Sequence, residues 1–213
     1  MKTPRCSVLV GFTLALLLGC GKKASEEIDF GSFAGSTYTN KFFALSITMP
    51  AGWNVQDPEA LKRMTSEGLK AVAGNDRRLA RAAELQSVSL FAVFEHPVGA
   101  PVEYNPGIVA TAERVSHMPG IRNGKDYLFH ARKLLGAGQL SVTFPKEVYA
   151  EQLGGVEFHV LTAQIVAPGH VVTQQYHAAV MKGYALGFVI SYQTDAQRVT
   201  LESVLNTVAF AAK

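Results

Sequence analysis

Cysteine is scarce in this sequence, and no apolar run is long enough to cross a membrane as a helix. Among its 213 residues are two cysteines, Cys6 and Cys20. The most apolar run covers residues 8–18, whereas a membrane-spanning helix needs about 20 such residues. Because Lys2 and Arg5 precede this run, it predicts the core of a secretory signal peptide instead.

The end of the apolar run resembles a lipobox, the motif at which bacterial lipoprotein signal peptides are cleaved. It reads Leu17-Leu18-Gly19-Cys20, and the resemblance implies cleavage before Cys20 and attachment of lipid (palmitate) to Cys20. In the alternative interpretation Cys20 is a small apolar residue of a buried helix, but two lysines follow at 22–23. Gly21 stands where an Asp would resemble an inner-membrane retention signal. In a cell with two membranes, the periplasmic side of the outer membrane is therefore favoured.

Removal of this signal peptide would leave a mature chain without a free thiol and with little net charge. Cys6 lies in the discarded part and Cys20 carries lipid, which excludes disulfides, thiolate catalysis and cysteine-bound metals. The formal charge of +3 includes Lys2 and Arg5; without them 18 basic residues face 17 acidic ones, a charge of +1. Composition therefore gives no support to nucleic-acid binding, and no nucleic-acid partner is expected.

Composition divides the chain into a signal peptide, a short tether and one domain. The signal peptide covers residues 1–19, and the lipidated Cys20 begins a polar, flexible tether over residues 20–35. Residues 36–213 are predicted to form a single domain, since 48% of all residues are hydrophobic and 17% are charged. Such a composition is typical of globular chains.

Hydrophobic periodicity predicts both strands and helices in this domain. Residues 43–49 and 87–96 are expected to be strands, the second apolar on both faces and therefore central. A less regular strand is expected at 107–117. The last third contains four further strand-like runs, separated by Gly-containing turns that are typical of hairpins: 146–152, 156–166, 171–181 and 184–193.

Helical spacing marks residues 57–73, 76–85, 125–135 and 195–206. The last of these helices is expected to pack on the small residues of the final long strand, Ala185, Gly187 and Ser191. Together the patterns predict an α+β fold in which an antiparallel β-sheet carries helices on both faces.

Several phrases of the domain resemble the PsbP/Mog-like α/β/α sandwich superfamily. They are Tyr38-Thr39-Asn40, the run 43–53 that ends in Pro50-Ala51-Gly52-Trp53, Gly154-Gly155-Val156-Glu157-Phe158, Gln174-Gln175-Tyr176 and Lys182-Gly183-Tyr184-Ala185-Leu186. The resemblance covers about residues 36–212 and implies a fold more than an activity. Known members include a photosystem II accessory protein, a binding partner of a nuclear-transport GTPase and bacterial envelope lipoproteins. The resemblance implies non-catalytic association with a larger partner.

No motif with catalytic or metal-binding spacing occurs in the sequence. The six histidines form no His-x-x-x-His pair, and there is no Gly-x-Ser-x-Gly elbow. His159 and His177 are expected on neighbouring strands, but a two-residue turn at Pro168-Gly169 makes paired residue numbers sum to 337. The two side chains then point to opposite faces of the sheet. No metal, no cofactor and no enzymatic activity are therefore predicted.

Two main hypotheses of function remain, with an uncharacterised hydrolase as a third. The first is a membrane-anchored accessory domain that binds an envelope protein through a loop surface and a basic cluster; the residues expected there are Tyr104, Pro106, His117, Arg77, Arg78 and Arg81. The basic cluster can equally be the solvated face of a helix. The second is a module that binds a small molecule or lipid in a cavity between the sheet and a helical layer, lined by Phe158, Phe188 and Tyr192.

Overall fold

The structure, a computed structural model, describes residues 28–73, 87–137, 140–167 and 170–211. Over these ranges the chain forms three helices, which are α1 (Pro58–Ala73), α2 (Gly124–Ala137) and α3 (Asp195–Leu205). The first six strands of the same ranges are β1 (Ser32–Ala34), β2 (Thr37–Asn40), β3 (Leu45–Thr48), β4 (Asn54–Val55), β5 (Ser87–Phe94) and β6 (Gly107–Arg114). The remaining six are β7 (Ser141–Thr143), β8 (Tyr149–Leu153), β9 (Val156–Ala167), β10 (His170–Met181), β11 (Tyr184–Tyr192) and β12 (Ala209–Phe210).

The long strands form one antiparallel sheet in the order β4-β5-β6-β11-β10-β9-β7, with β8 also paired to β9. This confirms the predicted meander of four strands in the last third of the chain. The turn between β10 and β11 places Lys182 (φ 50°) and Gly183 (φ 81°) in the left-handed region, as a two-residue hairpin requires. The predicted register is also confirmed, because Val160 pairs with His177 and His159 with Ala178.

Helices cover both faces of this large sheet. On one face α1 packs against β5, and α2 packs across β9 and β10. On the other face lies α3, together with a second, four-stranded sheet of order β1-β2-β3-β12. The predicted α+β fold, an antiparallel sheet with helices on both faces, is therefore confirmed, while the second sheet was not predicted. Its strand β3 lies within the strand expected at 43–49, but the other three strands are only two to four residues long, too short for a clear alternation.

Helix α3 packs on the opposite face of β11 from the one expected. Its buried Leu201, Val204 and Leu205 join the core that contains Leu186 and Phe188. The expected small-residue face is partly covered instead by Tyr127 of α2, which packs beside Ala185. The face of β11 with the larger side chains packs against α3, because burying apolar area on both sides of the contact stabilises the fold more than close approach to small residues does.

The folded region includes residues 28–35, which the sequence analysis assigned to the tether. Ile28 and Phe33 pack against the main core, and the Asp29 carboxylate accepts hydrogen bonds from the backbone of Gly31 (3.0 Å) and Lys41 (2.8 Å). These two bonds lower the pKa of Asp29. Residues 28–35 of the predicted tether therefore pack against the domain; Ile28, Phe30 and Phe33 stand among polar and small residues without a period that would indicate this.

Candidate functional site

The residues expected to form a partner surface are not brought together by the fold. Tyr104 and His117 lie beyond opposite ends of β6, a strand of eight residues that spans roughly 23 Å. Tyr104 is half-buried, its hydroxyl shares a hydrogen bond with that of Ser191, and burial raises its pKa. His117 is exposed. The structure therefore does not bring Tyr104 and His117 together in one surface; Cys20, Arg77, Arg78 and Arg81 lie outside the described residues.

His177 is held by a carboxylate that the sequence analysis did not pair with it. Its Nδ1 lies 2.5 Å from Oε1 of Glu151 on β8, and its side chain is almost fully buried. Its Nε2 has no hydrogen-bond partner among the described residues. His159 points to the other face, and the described ranges contain no group of three or more residues arranged to hold a metal ion. Glu151 and His177 therefore form an isolated contact in which the histidine is buried and the carboxylate is partly exposed.

A polar cavity of about 370 Å³ lies on the α3 side of the large sheet, between β9, β10 and β11 and the N-terminal end of α3. Its floor consists of Thr162 and Gln164 on β9, Thr173 and Gln175 on β10, and Tyr192 on β11. Cross-strand pairing sets Thr162 opposite Gln175 and Gln164 opposite Thr173, so these side chains share one face. Thr162 and Gln175 are only 5% and 6% exposed.

The walls of the cavity come from the start of α3 and from the connection between β7 and β8. Its lining includes Gln193, Thr194, Asp195, Arg198 and Glu202 on one side and Pro145, Lys146 and Tyr149 on the other. The helix begins here because Thr194 forms a capping box with Gln197. Since the floor is buried while Lys146, Tyr149 and Asp195 are exposed, the cavity opens to solvent.

Charge is balanced within the cavity lining. Arg198 donates to both oxygens of Glu202 (2.9 and 2.8 Å) and to Asp195 (3.1 Å), and these bonds raise the pKa of Arg198. Lys146 brings the lining to two cationic and two anionic side chains. The site therefore offers no net charge to a ligand.

The remaining polar groups of the lining can both donate and accept hydrogen bonds. Gln175 Nε2 donates to the Tyr192 hydroxyl at 2.9 Å. Burial raises the pKa values of Tyr149 and Tyr192, so both carry a protonated hydroxyl at neutral pH. The hydroxyl of Thr162 and Nε2 of Gln193 are buried without a partner among the described residues, and such groups are costly unless something binds them.

Of the three aromatic residues expected to line a cavity, only one lies in the lining of this cavity. Tyr192 lies in the floor, but Phe158 and Phe188 are completely buried in the core. The polar residues of the site were missed, because they come from three strands, a helix and a loop. One local signal was available: the polar run 173–175 interrupts an otherwise largely apolar strand.

Beyond the cavity, the hairpin of β9 and β10 continues past the end of β11. The last pair of the β10–β11 ladder joins Thr173 to Tyr192, whereas β10 begins at His170. Val166 and Val171 pair across this extension and are 50% and 45% exposed. They share the face of the cavity floor. Below, the term hairpin extension refers to Val166, Val171 and the edge of β10 from His170 to Val172.

Comparison with solved structures supports the fold alone. The solution structure of cyanobacterial PsbP (CyanoP) from Synechocystis is 11% identical, with a TM-score of 0.53, and the match covers 85% of this chain and 96% of that one. A Pseudomonas aeruginosa protein of unknown function reaches a TM-score of 0.42 at 13% identity, over 60% of this chain and 83% of that one. A structure from Bacteroides thetaiotaomicron has a TM-score of 0.46 at 12% identity, and the match covers 85% of this chain and 50% of that one.

The similarity to CyanoP shows that the described domain has a PsbP-like fold. No protein-family model matches the sequence, and neither does any curated protein. Over the ranges that the structure describes, none of the helices combines the length and apolar character that crossing a membrane would take.

Proposed function

We propose that this protein is a bacterial envelope lipoprotein, anchored through lipid on Cys20, and that its PsbP-like domain is a non-catalytic accessory domain that binds another envelope protein. The lipobox-like Leu17-Leu18-Gly19-Cys20 supports the anchor. The PsbP-like fold supports the accessory role, since the resemblance noted in the sequence implies non-catalytic association. The outer membrane is the favoured location.

The observation that carries the binding role is the hairpin extension. Two valines stand about half exposed on one face of a strand pair, and within the described ranges no strand lies on the β11 side of β10 from His170 to Val172. An open strand edge pairs readily with another extended chain, and its neighbouring side chains supply specificity. We infer that the partner contributes an extended segment that pairs with this edge and covers both valines.

In-cell cross-linking followed by membrane purification tests this function. The double variant Val166→Asp/Val171→Asp places charge in the contact, so a dominant cross-linked partner should be lost. The matched control is Val199→Asp, because Val199 is 56% exposed on α3 and receives the same change outside the proposed surface; it should keep the partner. An unchanged cross-link in the double variant, with the fold intact by circular dichroism, would exclude the hairpin extension as the docking surface.

The anchor is tested separately by Cys20→Ala. This variant should lose fatty-acid labelling and accumulate as an unprocessed or mislocalised chain, and the cross-linked partner should disappear with it. Fatty-acid labelling at the level of the unaltered protein would refute the lipobox interpretation. The two tests are independent, because the valine variants should retain labelling.

The second hypothesis, a small-molecule-binding module, is favoured by a different observation. The cavity lining contains two buried polar groups without a partner among the described residues, the hydroxyl of Thr162 and Nε2 of Gln193, and ligand sites typically hold a few such convergent polar groups. Its lining is rich in amide and hydroxyl groups, so a lipid chain would leave buried polar atoms without hydrogen bonds. Of the ligands first considered, the cavity therefore favours a polar small molecule over a lipid.

A further inference from the structure

We propose that the polar cavity binds an uncharged polyhydroxylated molecule with the chemistry of a saccharide unit, and that Thr162, Gln175 and Tyr192 form the floor that recognises it. This goes beyond docking of a protein partner, because the site is distinct from the hairpin extension and does not require a partner to be present.

The shape of the cavity fits a small ligand held at one end. Its volume of about 370 Å³ lies within the range of small-molecule sites, roughly 300–1,000 Å³. The floor residues Thr162, Gln175 and Tyr192 are buried, while Lys146 and Thr194 at the rim are exposed. A ligand of one or two sugar rings would insert one ring between the floor and the start of α3.

Charge excludes the strongly ionic ligands. The carboxylates of Asp195 and Glu202 are already compensated by Arg198, and the lining as a whole carries two charges of each sign. An anion would meet these carboxylates, and a cation would compete with Arg198 for them. A neutral molecule disturbs neither arrangement.

The hydrogen-bonding groups select a ligand that both donates and accepts. The buried hydroxyl of Thr162 can do either, and the amide of Gln193 carries an unpartnered donor. Sugar hydroxyls, which are both donors and acceptors, can form hydrogen bonds with both groups at once. An apolar ligand would leave both groups buried without a hydrogen bond.

The aromatic side chains complete this chemistry. Tyr149 and Tyr192 both line the cavity, and Tyr149 is 40% exposed at its rim. Aromatic rings combine a large apolar body with a polar tip, which matches a sugar ring with its C–H faces and hydroxyl edges. Polar edges would be bound by the floor, and an apolar face by Tyr149 at the rim.

Binding of defined sugars to the detergent-solubilised full chain tests the proposal. Glucose, N-acetylglucosamine, maltose and chitobiose serve as neutral probes, with glucuronate and glucosamine as charged counterparts and laurate as an apolar one. Saturation-transfer NMR detects binding, and calorimetry gives the affinity. We expect at least one neutral sugar to bind with a dissociation constant of about 1 mM or tighter and at least tenfold better than its charged counterpart.

Three variants make the result specific to the cavity. Gln175→Leu and Thr162→Val should each weaken the binding of that sugar by about tenfold, as expected for a lost hydrogen bond. Gln152→Leu makes the same change at an exposed position of β8 and should leave affinity unchanged. Because Gln175→Leu alters a buried position, its melting curve is recorded, and Thr162→Val supports the test independently if Gln175→Leu fails to fold.

The proposal is overturned if no neutral sugar binds with a dissociation constant below about 10 mM, or if a charged counterpart or laurate binds more tightly. Binding that is equal in the unaltered chain and in Thr162→Val would also overturn it. The docking function fails separately: Val166→Asp/Val171→Asp should retain sugar binding, and Thr162→Val should retain the cross-linked partner.

Discussion

One face of one sheet contains two regions with opposite character. Near the turn between β10 and β11, the α3-side face carries Phe158, Leu186 and Phe188, which are completely buried beneath the small sheet and α3. Further along the same strands, that face carries Thr162 and Gln175, and then the exposed Val166 and Val171. Backbone pairing is continuous through both regions, so the difference lies in what covers the sheet.

The lengths of the strands explain why α3 and the small sheet cover only part of this face of the large sheet. Strands β9 and β10 have twelve residues each, whereas β11 has nine. The chain leaves β11 at Tyr192 to begin α3, so the helix starts beside the cavity. The covered region therefore contains the buried core, while the uncovered region leaves Val166 and Val171 exposed.

The largest contrast between the two regions should appear in their response to truncation. Phe188→Ala removes a completely buried ring that lies 5.7 Å from the ring of Phe158, and should lower the free energy of unfolding by about 3–5 kcal/mol. Val171→Ala, at a half-exposed position of the uncovered region, should cost less than about 1 kcal/mol. Urea denaturation measures both, and equal losses would show that the uncovered region is as tightly packed as the core.

A smaller effect, specific to the small sheet that covers the core, should appear at high pH. Burial raises the pKa of Tyr38 from 10.0 to about 12, and its hydroxyl donates to the Phe30 carbonyl at 2.7 Å. Because the folded pKa is raised, the stability it contributes is present below pH 10 and is lost as the pH rises towards 12. By linkage, the loss is about 2–3 kcal/mol once both states are ionised.

Tyr38→Phe isolates this contribution. At pH 8 the variant should be less stable than the unaltered protein by about 1–2 kcal/mol, since the hydroxyl both donates to the Phe30 carbonyl and accepts from Nδ2 of Asn40 (3.2 Å). In denaturation curves recorded across the range, that difference should shrink above pH 10 and change sign near pH 12, because only the unaltered protein undergoes the linkage loss of about 2–3 kcal/mol. A difference independent of pH would show that the Tyr38 hydroxyl ionises equally easily in the folded and unfolded chains.

Local patterns predicted the elements in which neighbours along the chain determine the structure. The β9–β10 register follows from one turn, and pairing of His159 with Ala178 confirms it. The two-sided apolar pattern of β5 predicted a central, covered strand, and Leu90 to Val93 are buried. In such cases a period or a turn of a few residues contains the information.

Features assembled from distant segments could not be predicted in the same way. Strand β1 is held by contacts of Phe33 with Phe91, whose ring centroids lie 5.7 Å apart, and nothing in residues 28–35 shows this. The cavity joins Lys146, Thr162 and Glu202, which no period links. Which face of β11 packs against α3 depends on the total apolar area buried by the strand and the helix together, and a pattern within one strand does not reveal this.

The smallest expected effect concerns the floor of the cavity, where a substitution should raise the free energy of unfolding instead of lowering it. The hydroxyl of Thr162 is buried without a partner among the described residues, so Thr162→Val, which replaces it with a methyl group of similar size, should raise the free energy of unfolding by about 1 kcal/mol. Thr37→Val is the control, because the hydroxyl of Thr37 has a partner 3.1 Å away in Thr48; it should leave stability unchanged or slightly lower. Urea denaturation without added ligand measures both. A loss of stability in Thr162→Val would mean that the hydroxyl is already satisfied in the free protein, and Thr162 would then give no reason to expect a ligand at the cavity floor.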